Sequence, residues 1–176
     1  MSQSTPSFQL KRLHKDKDAV ARALDKAQRY RLLNEPTEAE SICLDILEVE
    51  PDHQEALITL LLALTDQFES GLGDRVDRAK ALVPRLRDEY ARAYYTGVLH
   101  ERRGKALMGQ HTISAGHDAY EWLVEAMHWY ERAEALASPD NDDARLRFNA
   151  CVRKIGGHDH LRPRHLEGRD DPYLEE

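Results

Sequence analysis

Between residues 18 and 155 apolar side chains recur at every third or fourth position, and no stretch alternates apolar and polar residues long enough to make a strand. Such a period buries one side of a helix and leaves the other in water, so it confines the chain to packed amphipathic helices. Proline and glycine mark where the pattern breaks. A helix over about 18–33 places Val20, Ala23, Leu24, Ala27 and Tyr30 on one side and ends at Asn34 and Glu35-Pro36. Thr37 with Glu40 reads as a capping box for a second helix, whose stripe is Ala39, Ile42, Cys43, Ile46 and Val49. Pro51 stops that helix. Asp52 with Glu55 reads as a second capping box, opening a very apolar helix over roughly 53–69.

Gly71 and Gly73 interrupt the chain, and Val76, Ala79, Leu82, Val83 and Leu86 form the next stripe. Pro84 lies inside it and should kink or end the helix, because it lacks a backbone donor and clashes with the preceding turn. Asp88 can cap a long helix to about Leu107, with Ala91, Tyr94, Tyr95, Val98 and Leu99 inward. Residues 109–117 are expected as a loop. Asp118 with Glu121 reads as a third capping box, ahead of a helix with Ala119, Trp122, Leu123, Ala126, Met127, Tyr130 and Ala133 on one face. Pro139 closes it. A last helix over about 141–155 carries Ala144, Phe148, Cys151, Val152 and Ile155 and ends at Gly156-Gly157. The reading is all-α, with about seven helices in antiparallel hairpins. Residues 1–17 form a tail with a possible short helix around Phe8, Leu10 and Leu13, 18–156 the helical domain, and 157–176 a flexible tail.

At 176 residues the chain fits one domain, and a formal charge of −7 argues against nonspecific nucleic-acid binding, which needs a basic surface. No apolar run approaches the roughly 20 residues that span a bilayer, and residues 1–10 lack a basic-then-apolar leader pattern. A cytoplasmic protein is expected. Cys43 and Cys151 both fall on apolar faces, which favours free buried thiols over a disulfide.

The spacing of Ala27, Tyr30, Ala39 and Pro51, in steps of 3, 9 and 12 residues, resembles the tetratricopeptide repeat, a helix–turn–helix unit of about 34 residues. There small residues let the paired helices cross closely and a proline ends the unit. The likeness is good over 20–53 and degraded over the rest of 20–155. In the second unit Leu61 replaces the small residue. In the third, Gly97 holds the small position and Ala126, Tyr130 and Ala133 the second helix, with a hairpin about 17 residues too long for one repeat. The resemblance implies hairpins stacked as a short right-handed solenoid. It also implies that Leu24, Gln28, Arg31, Ile58, Thr59, Leu62, Tyr94, Tyr95 and Glu101 face a concave partner-binding groove. The cations of the family's carboxylate clamp are missing, since Leu24, Gln28, Thr59, Ala91 and Tyr95 stand at the matching positions. The expected partner is therefore a protein or peptide offering an apolar or amphipathic segment. A self-assembling homo-oligomer is the alternative, and a metal-binding helical protein a further one.

No enzyme motif is present: His100-Glu101 is followed by Arg102-Arg103-Gly104, not by a second metal-binding histidine, and there is no phosphate loop, GxSxG or CxxC. His117, Glu121, Glu125 and His128 share one helical side, but the partner motif of a carboxylate di-iron bundle is missing. They read as a solvated polar face, as do the tail histidines His158, His160 and His165. Neither a catalytic residue nor a cofactor is expected. Arg102, Arg103 and Lys105 make a basic patch, read as exposed charge.

Overall fold

The computed structural model describes residues 9–14, 16–70, 74–110 and 112–164. Among them are seven α-helices and no strand: α1 (Lys17–Leu32), α2 (Pro36–Val49), α3 (Gln54–Asp66), α4 (Arg75–Leu82), α5 (Glu89–Met108), α6 (Ile113–Glu134) and α7 (Asp143–Gly156). Each helix packs against the next in sequence, α5 with α6 most extensively. No helix of the described residues is long and apolar enough to cross a membrane.

Helix ends follow local chemistry, though not always the residues expected. Asp16 caps α1 by accepting from the Ala19 N–H at 2.6 Å. Asn34 takes a φ of 60°, a left-handed conformation that asparagine tolerates, and so turns the chain from α1 into α2. The Thr37–Glu40 capping box does not form. Helix α2 already begins at Pro36, whose fixed φ suits a first helical position and whose missing N–H costs nothing there. Thr37 instead donates to the Gln67 side chain at 3.3 Å, while Glu40 receives Gln67 and Arg78. The cap of α3 is His53, not Asp52: its Nδ1 accepts from the Ala56 N–H at 3.3 Å. Helix α4 ends at Leu82, and Val83–Arg85 forms a 3₁₀ turn around Pro84. Asp88 caps α5 as expected, accepting from the Ala91 N–H at 3.2 Å. Gly71 and Gly73 lie outside the described residues.

The largest departure is at α6. The expected loop over 109–117 shrinks to a short turn, because Thr112 accepts from the Ala115 N–H at 3.2 Å and starts the helix before the Asp118–Glu121 pair. The buried stripe accordingly begins at Ala115 and Ala119 and continues through Leu123, Ala126, Tyr130 and Ala133. Two long helices, not a long loop, absorb the extra length of this hairpin.

Close crossings hold the pairs together. Ala27 of α1 and Ala39 of α2 are both 0% exposed, in the same apolar cluster as Cys43, Leu57 and Leu61. Between α5 and α6 the tight contact is Gly97 against Tyr130. A Cβ on Gly97 would stand 2.6 Å from the Tyr130 ring, while at Gly104 it would meet Leu123 at 3.0 Å. These two contacts fix the antiparallel register. One apolar cluster spans α1 to α5 and a second α5 to α7, and Leu62, Tyr95 and Trp122 pack against both. A third, smaller cluster joins Val20 and Leu24 to Ile46 and Ala56. Cys43 and Cys151 are buried and unbridged.

Neither flank matches its expected role completely. Residues 9–14 are not helical, Leu13 packs on the smaller cluster, and Arg12 pairs with Glu48 at 2.8 Å. Beyond α7, Leu161 is only 4% exposed and joins the second cluster. His117 Nδ1 bonds the Arg162 carbonyl at 2.8 Å, and Arg164 pairs with Asp118. Gly116 permits this crossing, since a Cβ there would sit 2.6 Å from the His160 carbonyl oxygen. Residues 158–164 thus form a strap over the start of α6. Phe8 and residues 165–176, including His165, lie outside the described residues.

Candidate partner-binding face

Helices α1, α3, α5 and α7 are linked through charged side chains, although none is next to another in sequence. Asp66 at the end of α3 receives Arg31 of α1 at 2.8 Å and Arg102 of α5. Arg102 also donates to the Thr65 hydroxyl at 3.1 Å. Glu101 of α5 receives Arg147 of α7 at 3.2 Å, Lys105 one turn on, and the Tyr130 hydroxyl at 2.6 Å. The two networks are adjacent on α5. Arg102, Lys105 and Arg147, with Thr65, Asp66 and Glu69, surround a hollow of about 250 Å³.

Burial makes these pairs electrostatically strong. Glu101 is 1% exposed. Burial alone would raise its carboxyl, but the hydrogen bonds from Lys105 and Tyr130 and the charges of Lys105 and Arg147 outweigh it and hold the group below the ordinary glutamate range. Arg102 is pulled down to about 10, first by burial and then by the like charges of Arg31 and Arg147. Tyr130 is pushed up by burial and by the facing Glu101. Tyr94 stacks on Tyr90 with ring centroids 5.6 Å apart and lies edge-on to Tyr95 at 5.1 Å. Tyr94 lies near enough to Arg147 to favour its charged form, which links the aromatic row to the charged one.

The residues expected to line a groove separate into two groups. Leu24, Thr59 and Glu101 are buried at 5%, 3% and 1% and offer no surface of their own. Gln28 is exposed, whereas Arg31, Ile58, Leu62, Tyr94 and Tyr95 are half-buried. Tyr95 and Leu62 are held in the two large apolar clusters, so Tyr94 is the freer of the adjacent tyrosines. Among the repeat positions, Tyr30 is half-buried and Pro51 exposed. The surface is more charged than the apolar lining anticipated. Asp66 and Arg147 lie outside the expected groove residues, and Arg102, expected as exposed charge, is half-buried. A usable signal existed: Arg31 and Asp66 are 35 residues apart, and Asp66 and Arg102 are 36 apart, near the length of one hairpin unit. Glu101 and Arg147 are 46 apart, because the long α5–α6 hairpin intervenes.

A second cluster occupies the other side of α5. His100 lies against Trp122 with centroids 4.8 Å apart, and Lys80 and Arg103 approach the same ring at 5.5 and 5.9 Å. The expected basic patch is therefore divided, with Arg103 on the Trp122 side and Arg102 and Lys105 on the hollow. His100 Nδ1 and Arg103 Nη1 are buried without a hydrogen-bond partner. A wider hollow of about 490 Å³ lies between the start of α1 and the α2–α3 turn, with Lys17, Glu50, Asp52, Glu55 and Arg87 of mixed charge around it. Among the described residues no group of three or more histidines, cysteines and carboxylates is placed to hold a metal ion. His128 and Glu125 approach at 3.6 Å on the exposed side of α6.

No family profile, no curated protein and no solved structure matches the chain.

Proposed function

We propose that this protein is a non-enzymatic scaffold of stacked tetratricopeptide-like hairpins, and that it docks a protein or peptide on the surface shared by α1, α3, α5 and α7. The observation that carries this reading is the run of side-chain links Arg31–Asp66–Arg102 and Glu101–Arg147, joining every second helix. Hairpins stacked with one twist bring their first helices side by side on one surface, which is the arrangement a concave binding groove needs. Arginine and tyrosine, the residues concentrated there, are favoured in recognition surfaces for their rigid contact area and directed hydrogen bonds.

Affinity purification with the wild-type chain and with Tyr94→Ala and Gln28→Glu variants tests the face, with Leu44→Ser on exposed α2 as control. A partner kept by the control and lost by the other two supports the reading. An identical partner set for all four chains removes it. The competing reading is self-assembly, favoured by Leu146 and Val152 of α7, which are 62% and 44% exposed. Light scattering over a concentration series separates the two, since a strict monomer excludes assembly.

A further inference from the structure

The hollow between α3, α5 and α7 holds more positive charge than its interior carboxylates balance. Asp66 is shared by Arg31 and Arg102, and Glu101 by Lys105 and Arg147. With Glu69, which lines the same hollow, four cations face three carboxylates and leave a surplus of one. Glu69 is exposed, so water and salt weaken its charge without removing it. The side chains of Arg102, Lys105 and Arg147 are 20%, 34% and 34% exposed, so a ligand can reach them. Arg102 uses Nη1 for its contacts with Leu62, Thr65 and Asp66. A guanidinium carries five N–H donors, more than those three contacts consume.

We propose that this hollow receives a phosphate monoester carried on a polypeptide partner, with Arg102, Lys105 and Arg147 donating to its oxygens. The monoester brings a charge of about −1.5 to −2 and three acceptor oxygens. Its three oxygens match the three cationic ends that line the hollow. A carboxylate brings two oxygens, and leaves one of the three cationic ends without an acceptor. Charge-assisted bonds from arginine are the strongest available to such an anion. The phosphate site follows from the hollow itself, while its delivery on a polypeptide rests on the docking face proposed above.

Titration calorimetry of the full chain at low ionic strength tests this with capped five-residue alanine peptides bearing a central phosphoserine, serine or glutamate, and with inorganic phosphate. The phosphoserine peptide is expected to bind, the serine peptide not to bind, and the glutamate peptide to bind at least about tenfold more weakly. Arg147→Gln and Lys105→Gln should each lose about tenfold with an unchanged circular dichroism spectrum. Glu69→Gln, an exposed change that spares the fold, should tighten binding severalfold. Equal behaviour of the phosphoserine and serine peptides overturns the proposal, as does insensitivity to both Glu69→Gln and Lys105→Gln. Inorganic phosphate binding as tightly as the phosphopeptide overturns the peptide half of the proposal, and counts against the docking face while leaving the anion site standing.

Discussion

Tyr130 meets the α5 backbone at Gly97 and sends its hydroxyl to Glu101, so one side chain serves both a helix crossing and a buried charge. Gly97→Ala should destabilise the protein by about 1–3 kcal/mol, because the ring facing it is itself 0% exposed and has no room to withdraw. Tyr130→Phe keeps the ring and removes one bond to a buried carboxylate, at a cost of about 1–3 kcal/mol. Denaturant unfolding measures both. Glu101 also dictates a pH response. Its folded-state carboxyl titrates below the ordinary value of 4.5, so its contribution is complete above that value and drains as pH falls through the lower one. Unfolding free energy should fall on acidification below about pH 4.5, and Glu101→Gln should flatten that fall. Burial pushes the Cys43 and Cys151 thiols up to about 12. Neither should react with a disulfide reagent at pH 8 in the native protein, and both should react in denaturant.

At the scale of elements, the apolar period locates every helix, and Pro84 and Asp88 punctuate the chain as expected, whereas α6 ends at Glu134, ahead of Pro139. What local sequence could not resolve was competition between neighbouring caps. Thr112 starts α6 ahead of Asp118, and His53 stands where Asp52 offered an equally good side chain. Choosing between adjacent polar residues depends on which backbone position the packed helix presents, and that is a tertiary matter. Thr112→Ala should cost about 1 kcal/mol. The strap over 158–164 was unreadable for the same reason. Its single buried apolar residue, Leu161, has no periodic context and gains meaning only beside Gly116. Leu161→Asp should leave the other helices intact while speeding amide hydrogen exchange over the first turns of α6.

At the scale of the molecule, the charged side chains that join alternate helices were the hardest part to foresee. Each pair spans at least 35 residues and unites helices that a linear reading keeps apart. Arg31 and Glu101 could be singled out from their places in the expected repeat, but their partners could not. Asp66 bears on three helices at once, so Asp66→Ala should destabilise by about 3–5 kcal/mol, leaving Arg31 and Arg102 partly buried and mutually repelling. The long α5–α6 hairpin has a further consequence for how the chain acquires its shape. Only four residues separate its two helices in sequence, so they can zip together at little loop-closure cost. The earlier pairs then have a ready-made platform on which to condense, and assembly should start near the C-terminal half and spread toward α1.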